Sequence, residues 1–324
     1  MPRMRVSLAF GAVALLTAIV TFLSGCSPQA TGEAASMASL NPPSLQVNGG
    51  ILMVRAGDIW VWRDRSQKQL TQGAKYWSPT WSPDGRQIAA AVVGDNHSDL
   101  VVLDEKGVRL RQLTNHLSNR RIQDCAWARS PAWSPDGRQI AYASDLRGAG
   151  SDLPGPTDLW LVNARGGNPQ VIPNPGAIAD VDYPAWSPDG EAVALTGFSG
   201  GKGQIYIVEL ASRRWTKVTE AADGALQPSW SPDGTRIACI IRSGAESDVW
   251  VVNVDGSEQR RLTDVGTAAA PTWSPDGTQI AFLAGRPSSD LHVIAVSPGT
   301  APANGQALTT GAMIETPSRL SWSE

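Results

Sequence analysis

The chain has 324 residues, of which 32 are glycine, 23 are proline and only three are histidine. This length allows two average domains or one large all-β domain, and the many turn-forming residues favour the second. The formal net charge is −3, it becomes −5 once a leader containing Arg3 and Arg5 is removed, and no run of basic residues occurs. Because phosphate binding requires clustered lysine and arginine, the composition argues against a nucleic-acid partner.

The N-terminal residues have the features of an export signal. Arg3 and Arg5 precede an apolar run over residues 6–23, and the sequence Leu-Ser-Gly-Cys follows and ends at Cys26. This tetrapeptide is similar to the bacterial lipoprotein processing box, and the resemblance implies that Cys26 becomes the first mature residue and carries a lipid. An uncleaved membrane anchor is the alternative, because the run is close to the lower length limit for a transmembrane helix. Both interpretations place the rest of the chain outside the cytoplasm.

Residues 26–48 are rich in serine, alanine, proline and glycine and lack apolar periodicity, which is typical of a flexible tether. We therefore expect a signal peptide over residues 1–25, a lipidated tether over 26–48 and a folded domain over 49–324. The other cysteines are Cys125 and Cys239. An extracytoplasmic location permits a disulfide between them, but a repeat unit separates them in the chain, so we do not expect that bond.

An internal repeat determines the predicted fold. The string Trp-Ser-Pro-Asp-Gly occurs five times and a clipped copy, Trp-Ser-Glu, ends the chain. Successive copies lie 43 to 53 residues apart, which is enough for four short strands. The repeated tryptophans are Trp81, Trp133, Trp186, Trp230, Trp273 and Trp322. We expect each of these side chains to pack as a wedge between neighbouring sheets.

Each repeat reads as four strands in a fixed order. The first strand ends on the tryptophan, and Ser-Pro-Asp-Gly then reverses the chain. The second alternates in polarity, as in residues 139–142, the third opens with aspartate, as at Asp58, and the fourth ends in Leu-Thr or Val-Thr. The folded part begins with a second strand and finishes with a first strand, so the C-terminal strand should pair into the first blade and close the ring. The sequence therefore predicts an all-β, six-bladed β-propeller of four-stranded antiparallel blades.

The repeat pattern Pro-x-Trp-Ser-Pro-Asp-Gly-x-x-Ile-Ala, together with Asp-x-Trp and Leu-Thr, resembles that of the TolB-type propellers, a family related to WD-repeat proteins. The resemblance covers residues 49–324. It implies the propeller fold, and it does not by itself specify a partner.

The motifs that suggest catalysis or metal binding have simpler explanations. Residues 197–201 match Gly-x-Ser-x-Gly, but a hydrolase elbow needs a strand-to-helix turn, and this segment lies between two strands of one repeat. Ser199 is therefore expected in a glycine-rich loop. His97, His116 and His292 occupy three different repeat positions, so we expect neither a metal site nor a cofactor. The repeated aspartates are explained by turns and strand caps.

Two long loops mark one sector of the predicted ring. Residues 115–130 replace a connection that has about eight residues elsewhere, and residues 145–157 replace one of about five. By analogy with WD-repeat propellers, both loops open on the same face. Arginine and tryptophan, which are favoured in binding hot spots, occur here at Arg120, Arg121, Trp127, Arg129 and Arg147. We predict a partner-binding site in this sector, with a tolerated insertion as the alternative.

The sequence favours a non-catalytic binding platform. We expect a monomeric cell-envelope lipoprotein that is held to the membrane through the lipid on Cys26 and binds an envelope protein or a glycan. The alternative is a polysaccharide lyase or hydrolase, which needs histidine, arginine, tyrosine or acids on the innermost strands. Those strands read Pro-Ala-Trp, Pro-Ser-Trp and Pro-Thr-Trp and are expected to supply few such groups. A sensor module is a third interpretation, and the lack of an attached signalling domain counts against it.

Overall fold

Six four-stranded antiparallel sheets form a closed ring, which confirms the predicted six-bladed β-propeller. The structure is a computed structural model that describes residues 45–73, 75–117, 125–146, 155–299, 301–315 and 318–324. These residues form 24 strands and no α-helix. Accordingly, the described ranges include no helix with the length and apolar character needed to cross a membrane. The predicted leader and Cys26 lie outside these ranges.

The blades are numbered along the chain, and their strands are given from the channel outward. Blade 1 contains β24 (Ser321–Ser323), β1 (Gly50–Arg55), β2 (Asp58–Arg63) and β3 (Ser66–Gln69), and blade 2 contains β4 (Tyr76–Trp81), β5 (Gln87–Val93), β6 (Ser98–Asp104) and β7 (Arg109–Gln112). Blade 3 contains β8 (Ala128–Trp133), β9 (Gln139–Ser144), β10 (Asp158–Asn163) and β11 (Gln170–Ile172), and blade 4 contains β12 (Asp180–Trp186), β13 (Ala192–Ser199), β14 (Lys202–Glu209) and β15 (Trp215–Lys217). Blade 5 contains β16 (Ala225–Trp230), β17 (Arg236–Ser243), β18 (Glu246–Asn253) and β19 (Arg260–Arg261), and blade 6 contains β20 (Ala269–Trp273), β21 (Gln279–Ala284), β22 (Asp290–Ala295) and β23 (Gln306–Ala307).

The C-terminal strand closes the ring. β24 pairs antiparallel with β1, with Trp322 opposite Ile51 and Ser323 opposite Gly50. Blade 1 is therefore built from both ends of the folded region, as the phase of the repeat predicts. This pairing leaves no unpaired strand edge at the seam, which removes a template for aggregation.

The described residues before β1 also contact the propeller. The Leu45 amide donates to Gln306 Oε1 at 2.8 Å, and Gln279 Nε2 donates to the Gln46 carbonyl at 2.8 Å. Residues 45–48, which the sequence assigns to the tether, thus lie against blade 6.

One apolar cluster fills each gap between neighbouring blades, and each cluster contains one repeated tryptophan. In order around the ring these are Trp81, Trp133, Trp186, Trp230, Trp273 and Trp322. The indole nitrogen of Trp186 donates to the Ala132 carbonyl at 3.1 Å, and that of Trp230 donates to the Ala185 carbonyl at 3.0 Å. These indoles fill the gap with apolar surface and also hydrogen-bond to the preceding blade.

The Ser-Pro-Asp-Gly turns are held closed by their own side chains. In blade 5, Ser231 Oγ donates to Asp233 Oδ1 at 2.5 Å, and the Thr235 amide donates to the same oxygen at 3.0 Å. Gly234 has a φ of 72°, a left-handed conformation that glycine adopts without steric cost. These hydrogen bonds lower the pKa of Asp233 to about 2, and the bond from the Ser231 hydroxyl contributes more than the bond from the Thr235 amide. The equivalent serine–aspartate bonds involve Asp84, Asp136, Asp189 and Asp276.

Acid is expected to weaken these turns. An aspartate whose pKa is depressed by folding contributes stability above its unfolded value of 3.8, and that contribution is lost as the pH falls from 3.8 toward about 2. Ser231→Ala removes the main hydrogen-bond donor, so it should raise the pKa of Asp233 and reduce the acid-induced loss at this turn. Carboxyl carbon NMR titration of both proteins measures the pKa, with the exposed-site variant Ser243→Ala as control. An unchanged Asp233 titration in Ser231→Ala would contradict this account.

A second repeated contact joins the third and fourth strands of a blade, and we call it the Asp–Thr clasp. In blade 5, Thr263 Oγ1 donates to Asp248 Oδ1 at 2.9 Å and accepts from the Val249 amide at 2.9 Å. The other clasps are Asp58–Thr71, Asp99–Thr114 and Asp290–Thr309, with Gln204–Thr219 in blade 4. The third-strand acids therefore cap strand ends, and a neutral oxygen can replace the carboxylate.

Candidate binding site at the channel mouth

The innermost strands of blades 2 to 6 each carry a β-bulge three residues before the repeated tryptophan. The bulged residues have φ values between 48° and 57°, which side chains other than glycine rarely adopt: Ser78, Ser130, Tyr183, Gln227 and Ala270. Bulges bend a strand and redirect its side chains, and they are over-represented next to functional sites. One face of the ring is the face at which the innermost strands begin, and we call it the mouth face. Because successive strands run in opposite directions, the loops between blades and the loops between second and third strands lie on the same face.

Arg319 crosses the channel. It lies just before β24 in blade 1, yet its guanidinium donates to the Pro184 carbonyl of blade 4 and, at 3.3 Å, to the Pro228 carbonyl of blade 5. Blade 4 is opposite blade 1 in a ring of six, so the side chain spans the opening. Burial lowers the pKa of Arg319 to about 10, against the opposing effect of Asp182. A cationic side chain therefore lies across the channel at this level.

Tyr183 stands between two clefts on the mouth face. The first, the aromatic cleft, has a volume of about 230 Å³, and its aromatic and charged lining residues are Trp77, Trp127, Arg129, Asp182 and Tyr183. The second, the arginine cleft, has a volume of about 360 Å³, and its polar lining consists of Tyr183, Gln227, Arg242, Ser247 and Arg286. Trp77 is 41% exposed, a large fraction for a tryptophan. Burial and the nearby Asp182 raise the pKa of Tyr183, so its phenol stays protonated.

The structure describes two of the five arginine and tryptophan residues predicted to bind a partner. Trp127 and Arg129 line the aromatic cleft, where the Trp127 amide donates to Asp145 Oδ1 at 2.7 Å and Arg129 donates to Thr157 Oγ1 at 2.9 Å. The remaining predicted residues lie outside the described ranges: Arg120, Arg121 and Arg147.

The prediction that the innermost strands supply few reactive or charged groups is wrong for the positions three and four residues before the repeated tryptophan. At the mouth, Arg129, Asp182 and Arg319 influence the pKa of Tyr183 electrostatically. These residues lie three or four positions before the repeated tryptophan, and the residue type at each of these two positions differs from blade to blade. That variability within an otherwise regular repeat is the signal that could have identified Trp77, Tyr183, Gln227 and Arg319.

The other residues considered from the sequence line neither cleft. Ser199 pairs with Lys202 across a two-residue glycine turn of the β13–β14 hairpin. His97 Nε2 lies 3.7 Å from a carboxylate oxygen of Asp99, the acid of the blade 2 clasp. His116 is buried near the same aspartate, and burial lowers its pKa. Among the described residues no group of three or more histidine, cysteine or acidic side chains is placed to hold a metal ion.

The cysteines expected to remain unbridged are not joined to each other in the structure. Cys239 is fully buried in β17, and burial raises the pKa of its thiol to about 12. A thiol in this state is a poor nucleophile at neutral pH.

A closed ring of six four-stranded blades, with its variable residues at one mouth of the channel, defines this protein as a β-propeller. The TolB beta propeller domain family matches residues 156–317, which is half of the chain. The chain belongs to this family.

Individual relatives match over shorter segments. The Tol-Pal system protein TolB of Coxiella burnetii is 29% identical over 114 residues, which cover 35% of this chain and 24% of that protein. Dipeptidyl-peptidase 5 of Porphyromonas gingivalis is 31% identical over 98 residues, which cover 28% of this chain and 14% of that protein. The matches thus span a quarter or less of the length of these two relatives.

The structure of a putative TolB from Agrobacterium tumefaciens superimposes on the propeller with a TM-score of 0.66. The two chains are 20% identical, and the match covers 84% of this chain and 92% of the other. At this identity the likeness establishes the shared fold.

Proposed function

We propose that this protein is a non-catalytic binding platform of the bacterial cell envelope that holds a protein partner on its mouth face. The observation that carries the proposal is the collection of Trp77, Trp127, Tyr183, Arg129 and Arg319 around one opening. Tryptophan, tyrosine and arginine contribute most of the binding energy in protein interfaces. Several of these side chains project from short strands of a rigid ring, so little entropy is lost when a partner orders them.

The leader and the lipoprotein box support an extracytoplasmic location with a lipid on Cys26. The Coxiella relative is a Tol-Pal system protein, which supports an envelope protein as the partner class. A Cys26→Ala variant is expected to lose the label that the wild-type protein incorporates when cells grow with a radioactive fatty acid. Absence of label from the wild-type protein would favour an uncleaved anchor.

The mouth residues favour binding over catalysis because several are already engaged. Arg319 donates to two backbone carbonyls, Arg129 to a threonine hydroxyl, and Gln227 Oε1 accepts from the Ala270 amide at 2.8 Å. Tyr183 is protonated at neutral pH because its pKa is raised, so it is a poor general base. These contacts hold the side chains in place, which supports a recognition surface.

An enzyme that cleaves polysaccharide, by lyase or hydrolase chemistry, is the second candidate. It is favoured by the presence of Arg129, Asp182, Tyr183 and Arg319 at the mouth, the groups that such an enzyme needs there. Release of new reducing ends or unsaturated products from envelope polysaccharides by the purified protein would support it. Loss of that activity in Tyr183→Phe, with folding intact, would establish the mouth as the active site.

The test of the binding proposal is photo-crosslinking in intact cells followed by mass spectrometry. A photoreactive residue at position 77 is expected to capture one partner protein, whereas the same residue at the exposed Leu110 of the outer strand β7 should not. Trp127→Ala and Tyr183→Ala should then reduce capture from position 77 at least about tenfold. Undiminished capture in both variants would overturn the proposal.

A further inference from the structure

The arginine cleft contains two guanidinium groups and no carboxylate. Arg242 lies near the end of β17 in blade 5, and Arg286 lies in the loop between β21 and β22 of blade 6. Both side chains are exposed to solvent and line the same cleft. No aspartate or glutamate is among the lining residues. The cleft therefore has a local excess of positive charge in a protein whose net charge is negative.

Most of the hydrogen-bond donors of these two arginines remain available. Arg286 donates one hydrogen bond to the Ala245 carbonyl at 3.1 Å, and the Arg242 side chain makes no hydrogen bond or ion pair with any described residue. Elsewhere on the propeller Arg261 is bound by two aspartates. Because a guanidinium offers several N–H donors, the two arginines can form a bidentate contact with a planar anion.

The rest of the lining adds neutral donors and aliphatic side chains. Tyr183 keeps its phenol proton, and the Ser247 hydroxyl also lines the cleft. Two nearby acids are outside the lining: Asp223 accepts from the Gly244 amide at 2.8 Å, and Glu246 lies between Ala245 and Ser247 in sequence and is exposed. Leu226, Ile240 and Ala268 form apolar surface suited to the methylene groups of an acidic side chain.

We propose that the arginine cleft is a carboxylate subsite that receives a glutamate or aspartate side chain of an extended peptide segment. This deepens the proposed function and rests on it. A peptide fits better than an acidic glycan because the cleft has no tryptophan, and both mouth tryptophans lie in the aromatic cleft on the other side of Tyr183. The shared Tyr183 would let one segment occupy both clefts, with an apolar residue beside Trp77 and Trp127 and an acidic one between the arginines.

The test uses the full-length chain and the Nε–Hε NMR signals of its arginines. The probes are an acetylated and amidated hexapeptide with two glutamates, the same peptide with glutamines, and oligogalacturonate. The glutamate peptide should shift the Arg242 and Arg286 signals and bind at least about tenfold more tightly than the glutamine peptide. R242Q/R286Q should abolish this preference. The matched control R86Q/R213Q removes two exposed arginines from the opposite face and should preserve it.

Equal binding of the two peptides would overturn the carboxylate subsite, and tighter binding of oligogalacturonate would overturn the peptide as its occupant. In-cell capture separates this inference from the proposed function. If Trp127→Ala and Tyr183→Ala reduce capture and R242Q/R286Q does not, only the subsite fails. If none of these variants reduces capture, the mouth face as a whole is not the partner surface.

Discussion

Replacing Arg319 with alanine is expected to lower the free energy of unfolding by about 3 kcal/mol. The variant removes the donor that serves the Pro184 and Pro228 carbonyls on the far side of the channel. Hydrogen bonds from a charged donor contribute about 1.5–3 kcal/mol each, and water entering the opened channel should restore part of that loss. The expected value therefore lies at the lower end of the sum for two such bonds, which is about 3–6 kcal/mol.

Lysine at position 319 separates the effect of charge from the effect of shape. Its ammonium is a compact charge and cannot hydrogen-bond to the carbonyls of both blades with the geometry of a guanidinium. Arg319→Lys should therefore retain less than half of the stability that Arg319→Ala loses. Arg86→Ala removes an exposed arginine on the opposite face and should change stability by no more than about 0.5 kcal/mol. Urea denaturation followed by tryptophan fluorescence measures all three. Equal midpoints for Arg319→Ala and Arg86→Ala would show that the cross-channel contact adds no stability.

The architecture could be predicted from the sequence because the repeated residues make local contacts. The serine and aspartate of each turn bond to each other two residues apart, as at Ser231 and Asp233. The aspartate of each clasp lies on the third strand of a blade, and the threonine lies two residues after the fourth strand of the same blade. Such contacts form wherever the same residues recur. The number of motif copies in the sequence therefore equals the number of blades. The closing pairing of β24 with β1 followed from the phase of the ends.

The site could be predicted only in part, because its contacts join distant parts of the chain. Arg319 is 135 residues from Pro184, and no motif indicates which carbonyl it meets. Loop length pointed to the sector that contains Trp127 and Arg129. It could not point to Trp77, Tyr183 or Gln227, because these residues lie within strands of ordinary length. Their identifying property is that they vary at a position where the repeat imposes a bulge.

The second large effect is expected at the blade 5 clasp. Asp248 is 4% exposed, and its Oδ1 accepts from Thr263 Oγ1 at 2.9 Å, from the Val265 amide at 2.9 Å and from the Gly266 amide at 3.3 Å. Its Oδ2 accepts from Arg261 at 2.7 Å. Asp248→Ala would leave several of these donors without an acceptor, and each buried unsatisfied group costs about 1–3 kcal/mol. We expect a loss of about 3 kcal/mol in the free energy of unfolding, since solvent reaches the Arg261 side and relieves part of the penalty.

Asp264→Ala is the matched control, because Asp264 is the other acid bound to Arg261 but its side chain is 65% exposed and takes no part in the clasp. An exposed ion pair contributes at most about 1 kcal/mol, so this variant should be close to wild type in urea denaturation. Similar losses in the two variants would assign the effect to Arg261 and not to the clasp. Asp248→Gln should retain more stability than Asp248→Ala, because Gln204 already holds Thr219 through a neutral oxygen at 2.8 Å in blade 4. That ordering would show that an acceptor oxygen without a negative charge can maintain part of the clasp.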